Sequence, residues 1–381
     1  MKRAIILLLT LFVLAGSAVA ISPVPEDTFS LSVESAVLME KTSGEIIYQK
    51  NAHETLPPAS VTKVMTMLLV VEAIDSGSIQ LEDMVSCSAH ARSMGGSQIW
   101  LEDGEQLSVS EMLKCVAVVS ANDCAVALAE YISGSEEAFA DKMNARAEEL
   151  GCKNTHFTNC TGLFDDPEHY TSAYDLALMS RELIRHDWIK QYTTIWMDTV
   201  RGGAFGLSNT NKLIRFYSGA TGLKTGYTSL AGHCLSATAE KDGVEYIAVV
   251  LKGENSDARF EAAKTLLNYA FANYTSVPIR PADGLASIPV KLGKSDFVQP
   301  VCLGSEALLL EKARASEIEY ITELPEYLEA PIQSGDILGR LLVRANGETL
   351  AELDIAAAHD VDRMGAFQIF SELLSLLVGK K

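Results

Sequence analysis

No C-x-x-C pair and no H-E-x-x-H segment occurs in the 381 residues, so the text offers no metal-binding or dithiol pattern and implies no metal and no cofactor. His53-Glu54 runs on into Thr-Leu-Pro rather than toward a second histidine. No apolar run approaches the roughly 20 residues that a bilayer-spanning helix needs. Positive charge is scarce: 31 Lys and Arg stand against 50 Asp and Glu, a net charge of −19, which repels phosphate backbones and argues against nucleic-acid binding. The seven cysteines are an odd number and far too sparse for a disulfide scaffold. Cys115 and Cys124 lie in apolar helical text and read as small buried hydrophobes; Cys152 and Cys160 could pair across a loop, which their spacing leaves open. With 48% hydrophobic and 21% charged residues the chain is a folded globular protein, and its length suggests two or three domains.

The N-terminus has the three-part layout of a secretory signal peptide: Lys2 and Arg3, an apolar run from Ala4 to Ala15, and small residues ending in Ala18-Val19-Ala20. Residues 1–20 are therefore expected to be a cleaved leader and the protein to be exported. From residue 21 the text alternates, with a hairpin expected at Ser43-Gly44. Pro57-Pro58 then gives way to the apolar helix "VTKVMTMLLVVEAI", and helical text dominates from about Val109 to Arg185, broken at Ala121-Asn122-Asp123. Strands return between Gly219 and Lys252 around the turn Lys241-Asp242-Gly243, and the helix "SDARFEAAKTLLNYAFANY" closes the unit. Strands at both ends with helices between them predict an α+β (α/β) layer fold over residues 21–275. Residues 276–362 read as a small all-β domain, with a hairpin at Asn346-Gly347. The tail, residues 363–381, is an amphipathic helix: Gln368, Ser371, Glu372 and Ser375 form a narrow polar stripe opposite Phe367, Phe370, Leu373, Leu374, Leu377 and Val378. Such a helix suits the membrane interface.

Three short motifs carry chemistry. Ser60 and Lys63, spaced S-x-x-K, share one face of a helix begun at Ser60, and Pro57-Pro58 would set that serine at the helix N-terminus, where free N–H groups favour a developing oxyanion. A serine needs a base, and a lysine serves only when desolvation or a second cation brings its pKa toward neutrality. Ser120-Ala121-Asn122 sits in the break between two apolar helices, facing a cleft. Lys224-Thr225-Gly226 lies on an expected strand, where Gly222 and Gly226 permit close backbone approach. Each motif alone is weak. In the order S-x-x-K, S-x-N, K-T-G they are the signature set shared by penicillin-binding proteins and class A β-lactamases.

The segments "PPASVTKVMT", "SANDCAVALAE", "HYTSAYDLALMSRELI" and "GLKTGYTSLAGHCLSATA" closely resemble the serine D-alanyl-D-alanine carboxypeptidases, the low-molecular-mass penicillin-binding proteins. The resemblance extends more loosely to the β domain and the terminal helix, which look like that family's C-terminal domain and membrane anchor. It implies a β-lactamase/transpeptidase-like catalytic domain whose substrate is the D-Ala-D-Ala end of the peptidoglycan pentapeptide stem and whose covalent inhibitors are β-lactams. It implies that Ser60 is the nucleophile, Lys63 its base and Ser120 a proton relay to the leaving amine. Asn122 would hold the substrate amide, Lys224 would orient the substrate and help keep Lys63 neutral by like-charge repulsion, and Thr225 would bind the terminal carboxylate. Gly226 completes the K-T-G motif, and the oxyanion hole would use the N–H groups of Ser60 and Tyr227. The residue after K-T-G is often His in the family, and here it is Tyr227. Arg259 matches a family arginine near the carboxylate site, although a helix-face salt bridge fits it equally well.

Two other readings compete. A β-lactamase also needs a base for deacylating water, in class A a Glu within E-x-x-L-N, and no such segment occurs; Glu168 is followed by His-Tyr-Thr-Ser. A non-catalytic binding protein would have little need of an intact Ser60, Lys63, Ser120 and Lys224. The remaining conspicuous residues read as structural: Glu102-Asp103 with Glu105 and Asp165-Asp166 as solvated turns, Trp100 and Trp188 as packing, and His169 as a fold residue.

Overall fold

A computed structural model describes residues 21–279, 284–304, 307–315 and 318–377; the expected leader and residues 378–381 of the tail lie outside the described residues. The chain divides into two compact units, one of Ile21–Tyr274 and the other beginning at Thr275.

The first unit is built on a five-stranded antiparallel sheet. Its strands are β1 (Val33–Glu40), β2 (Ile46–Lys50), β3 (Ala220–Thr228), β4 (Gly232–Lys241) and β5 (Val244–Gly253), in the order β2-β1-β5-β4-β3. The two expected hairpins form. At Ser43-Gly44 the Glu40 carboxylate accepts from the Thr42 and Ser43 N–H groups, and Gly44 supplies a φ of 76°. Asp242 and Gly243 both take positive φ (53° and 78°), the requirement of a tight two-residue turn. Every residue of β5 from Val244 to Leu251 is buried, so both faces of the sheet must be covered. Val37, Met39, Ile247 and Val249 join the core shared with the central helices, and the alternate residues Leu38, Ala248 and Val250 are buried as well. The closing helix α6 (Ser256–Asn273) packs on β5, β4 and β1.

The central helices are α1 (Lys63–Asp75), α2 (Val109–Val119), α3 (Asn122–Ser133), α4 (Glu136–Glu149) and α5 (Ala173–Arg185). α1 is mostly apolar until its last turn and buries Val64, Met65, Met67, Leu68, Val70 and Val71 together with Thr66, the mark of a helix inside a core rather than on it. Lys63 is the charged member of that buried set. Sequence spacing starts this helix at Ser60; here the α-helical bonds begin at Lys63, and Ser60 occupies a 3-10 turn, Ala59–Thr62. A tightened first turn is common at helix starts.

The second unit is β-rich. Pro300–Cys302, Glu348–Ala357, Ile337–Ala345 and Ile318–Glu323 form a four-stranded antiparallel sheet over a core that includes Leu341, Val343, Leu353 and Ile355. Asn346 and Gly347 make its hairpin turn with φ of 50° and 80°. A final helix, α7 (Ala366–Leu377), leaves Phe367, Phe370, Leu373 and Leu374 exposed, Phe367 at 83%. No helix among the described residues is long and apolar enough to cross a membrane.

Cys152 and Cys160 are not bridged, so the open possibility of that disulfide is not realised: Cys152 Sγ faces the carbonyl of Asp175 and Cys160 Sγ the carboxylate of Glu136. Cys115 and Cys124 are fully buried, as their text suggests. Trp188 packs partly against the helical core, but Trp100 does not: it is 63% exposed, with its ring edge-on to Phe205.

Candidate active site

The start of α1, strand β3 and the loop Asn159–Leu163 meet at the Ser60 turn. Ser60 is half-buried, and Lys63 Nζ stands 3.0 Å from its Oγ. The Lys63 side chain has no solvent exposure, and its Nζ donates at 2.8 Å to the carbonyl of Thr161. Burial brings its pKa down to about 7, against an opposing pull from Cys160, Glu136 and Asp123. Lys224 is held well below the usual lysine range by burial first and then by repulsion from Lys63 and Arg259, a repulsion that acts on Lys63 as well and adds to its desolvation.

The S-x-N motif forms the hinge from α2 into α3. Ser120 caps α2 in the left-handed region with φ 65°, a conformation that costs a non-glycine residue energy and is retained where the site requires it. The Asn122 N–H donates to the Ser97 carbonyl and its Nδ2 to Gly95, each at 2.7 Å, while the neighbouring Asp123 carboxylate accepts from the N–H groups of Ile99 and Leu101. The loop opposite is thereby fixed to α3. Ser120 Oγ and Asn122 Oδ1 are nonetheless buried without a hydrogen-bond partner among the described residues. Unpaired buried polar atoms cost about 1–3 kcal/mol each, so two side by side are an unusual feature of this break.

β3 is the edge strand of the sheet and carries Lys224, Thr225 and Gly226 beside Ser60. A Cβ on Gly226 would lie 2.9 Å from the Pro58 carbonyl oxygen and 3.0 Å from the N atoms of Ser60 and Val61, all backbone that cannot give way. Glycine is therefore what lets the strand lie against the nucleophile's turn. Lys224 is buried and its Nζ donates to the Thr225 carbonyl at 2.9 Å; Thr225 Oγ1 donates to Thr210 Oγ1 at 2.7 Å. Tyr227 is 60% exposed, and its ring lies 4.4 Å from that of His233 on β4, so an imidazole stands beneath the residue after K-T-G although the sequence has tyrosine there. Arg259 is neither a helix-face ion pair nor free. It is buried, and its Nη1 donates to the carbonyls of Gly226 (2.9 Å) and Cys234 (3.3 Å), bracing the K-T-G strand from α6.

Some supporting residues carried no sequence signal that spacing rules detect. Asn159 Oδ1 accepts from the N–H groups of Thr161 and Gly162 and so shapes the loop that presents the Thr161 carbonyl to Lys63. Gly162, at φ 64°, would place a Cβ 2.0 Å from the Ala59 carbonyl oxygen, a contact that only glycine avoids. His169 is structural, as expected: Nδ1 accepts from the Thr158 N–H, so Nε2 carries the proton and donates to Thr62 Oγ1 at 2.8 Å. Burial lowers its pKa to about 4 and keeps it neutral. Of the acids in the same segment, Asp165 accepts from the hydroxyls of Thr228 and Ser229 at the end of β3, and Asp166 from that of Thr158.

Comparison with known proteins agrees with this geometry. The D-alanyl-D-alanine carboxypeptidase family model matches residues 21–255, and that of the penicillin-binding protein 5 C-terminal domain matches residues 274–363. The chain is 44% identical over 337 residues to the D-alanyl-D-alanine carboxypeptidase DacF of Bacillus subtilis, covering 87% of this chain and 86% of that protein. The solved structure of penicillin-binding protein 5 from Haemophilus influenzae superimposes with a TM-score of 0.77 at 30% identity, covering 90% of this chain and all of that one. Penicillin-binding protein D2 of Listeria monocytogenes, solved in its ampicillin-bound form, is 30% identical with a TM-score of 0.59 over 64% of this chain and 99% of that one.

The Gly226 contact yields a prediction. Gly226→Ala is expected to slow acylation by a penicillin by up to about 100-fold, because the Cβ must push the backbone at Ser60 out of place and misplacement of reacting groups costs up to that order. Stopped-flow acylation at the unmodified rate would show that the strand does not position Ser60.

Proposed function

The chain belongs to the serine D-alanyl-D-alanine carboxypeptidases, which remove the terminal D-Ala of peptidoglycan stem peptides through a serine acyl-enzyme and are sensitive to penicillin, and from that premise we propose how its residues divide the work. The observation that carries the proposal is the fully buried Lys63 amine 3.0 Å from Ser60 Oγ. Neutral Lys63 takes the proton of Ser60 as Oγ attacks the carbonyl of the penultimate D-Ala. The N–H groups of Ser60 and Tyr227 receive the oxyanion. Ser120 passes a proton to the leaving amine, the C–N bond breaks, and D-Ala departs; water then attacks the ester with Lys63 again as base.

The substrate lies along the open edge of β3, as an added strand does. The unpaired Asn122 Oδ1 accepts its amide N–H, Lys224 and Thr225 face its terminal carboxylate, and Arg259 supports this from behind by holding the Gly226 carbonyl. Asp165 and Asp166 are hydrogen-bonded to the hydroxyls of Thr228, Ser229 and Thr158, which argues against either as a β-lactamase's deacylating base.

The protein is exported and acts outside the cytoplasmic membrane, held there by α7. The exposed Phe367, Phe370, Leu373 and Leu374 support an interfacial position, in which apolar burial must supply most of the affinity because the net charge of −19 opposes an anionic surface. Arg363, Lys380 and Lys381 help locally.

The proposal is checked by intact-mass spectrometry with penicillin beside a Ser60→Ala control, and by D-Ala release from a diacetyl-L-Lys-D-Ala-D-Ala peptide. A lasting adduct absent from the control, with D-Ala released by the wild type, is expected. An adduct without release would indicate a sensor, and rapid penicillin hydrolysis without an adduct a β-lactamase. Because Lys63 acts as base only when deprotonated, the acylation rate should rise with pH, reach half its maximum near 7 and stay level above; a midpoint near the ordinary lysine value would remove burial as the activating cause. Replacing Phe370 and Leu374 with Asp should shift the protein from the membrane to the soluble fraction, and unchanged sedimentation would exclude α7 as the anchor.

A further inference from the structure

The turn Asn209-Thr210-Asn211 belongs to none of the three motifs, yet it is tied to two of them. Both asparagines are buried and their side chains are committed to the backbone: Asn209 Nδ2 donates to the Ile195 carbonyl, Asn211 Nδ2 to the Gly222 carbonyl, and the asparagine Oδ1 atoms accept from the N–H groups of Asn211 and Leu213. The Thr210 N–H donates at 3.1 Å to the Val118 carbonyl, in the last turn of α2 just before Ser120. The Gly222 carbonyl is at the start of β3, two residues before Lys224. The half-buried Thr210 is thus bracketed by two structural asparagines, and its hydroxyl is set 2.7 Å from that of Thr225.

A hydroxyl has one proton to give. Thr225 Oγ1 donates to Thr210, so its proton is engaged within the protein. A carboxylate arriving at Thr225 is an acceptor only and demands that proton. Thr225 can surrender it and remain fully bonded if Thr210 reverses and donates to Thr225 in turn. The resulting chain, Thr210 to Thr225 to carboxylate, polarises each bond in the same sense.

We propose that Thr210 is a positioning residue for the substrate's terminal carboxylate, acting through Thr225; this rests on the reading that Thr225 receives that carboxylate. The hydroxyl of residue 210 is the proton donor behind the carboxylate-binding hydroxyl, and the asparagine-bracketed turn fixes it there while linking the S-x-N helix to the K-T-G strand. An uncharged pair of hydroxyls then shares with Lys224 the discrimination between a free C-terminus and a capped one.

The test uses the full-length protein and two peptides, diacetyl-L-Lys-D-Ala-D-Ala and the same peptide with a C-terminal amide, and reads the ratio of their kcat/KM values. Thr210→Val should lower kcat/KM for the free acid about 5- to 10-fold, chiefly through KM, and that for the amide less than about 2-fold. Thr210→Ser should restore the ratio. Thr225→Val should lower the ratio at least as far. If Thr225→Val lowers the ratio and Thr210→Val does not, the proposal for Thr210 is overturned while the role of Thr225 stands; if neither lowers it, the carboxylate reading of Thr225 fails and the proposal with it. Equal losses on both peptides in Thr210→Val, not restored selectively by serine, would reduce Thr210 to a fold residue. Should the valine variant not fold, as judged by circular dichroism, Thr210→Ala is read by the same criteria.

Discussion

An ammonium group placed where water cannot reach it is the constraint around which this site is arranged. Lys63 opens a helix that is mostly apolar until its last turn, so the chain cannot turn the amine outward without breaking its core. The amine is left with the Ser60 hydroxyl and the Thr161 carbonyl. A charged lysine in such surroundings is costly, and the cost is relieved by loss of the proton, which leaves the nitrogen able to accept one from Ser60. Stability and reactivity are here two aspects of one placement: the packing that buries α1 also makes its first residue a base.

The second lysine follows the same logic with another result. Lys224 is equally buried, but it faces Lys63 and Arg259 as well, and its amine is engaged by the Thr225 carbonyl. Its positive charge is disfavoured by these neighbours and would be favoured by an anion. A site with two such lysines is poised to gain from a ligand that carries a carboxylate, while Ser120 and Asn122 keep polar atoms unpaired beside it.

Side-chain chemistry was legible in the sequence, and backbone chemistry was not. Ser60, Lys63, Ser120, Asn122, Lys224, Thr225 and Gly226 stand out by motif because their residue types in that order form a recognisable set. The hairpins at Ser43-Gly44, Asp242-Gly243 and Asn346-Gly347 are legible because positive φ restricts residue choice. Thr161 contributes a carbonyl, Gly162 an absence of bulk and Thr210 a hydroxyl oriented by two neighbours; none of these imposes a spacing. The sequence names desolvation and a second cation as the two routes to a neutral Lys63, but how far the amine is buried has to be seen in three dimensions. Trp100 was read as packing for a similar reason, since large apolar residues are more often inside, but it projects from the loop at φ 57°.

The edge position of β3 bears on self-association. An open sheet edge invites another copy's edge strand, a common route to aggregation. Here the invitation is limited. The Ser60 turn abuts Gly226, Asp165 latches the hydroxyl of Thr228, and Lys224 projects inward, so only a short stretch of the ladder is open. A second copy's long strand would have to push the nucleophile's turn aside to pair, whereas the last residues of a free peptide would not. The enclosure that shapes the site also protects the sheet.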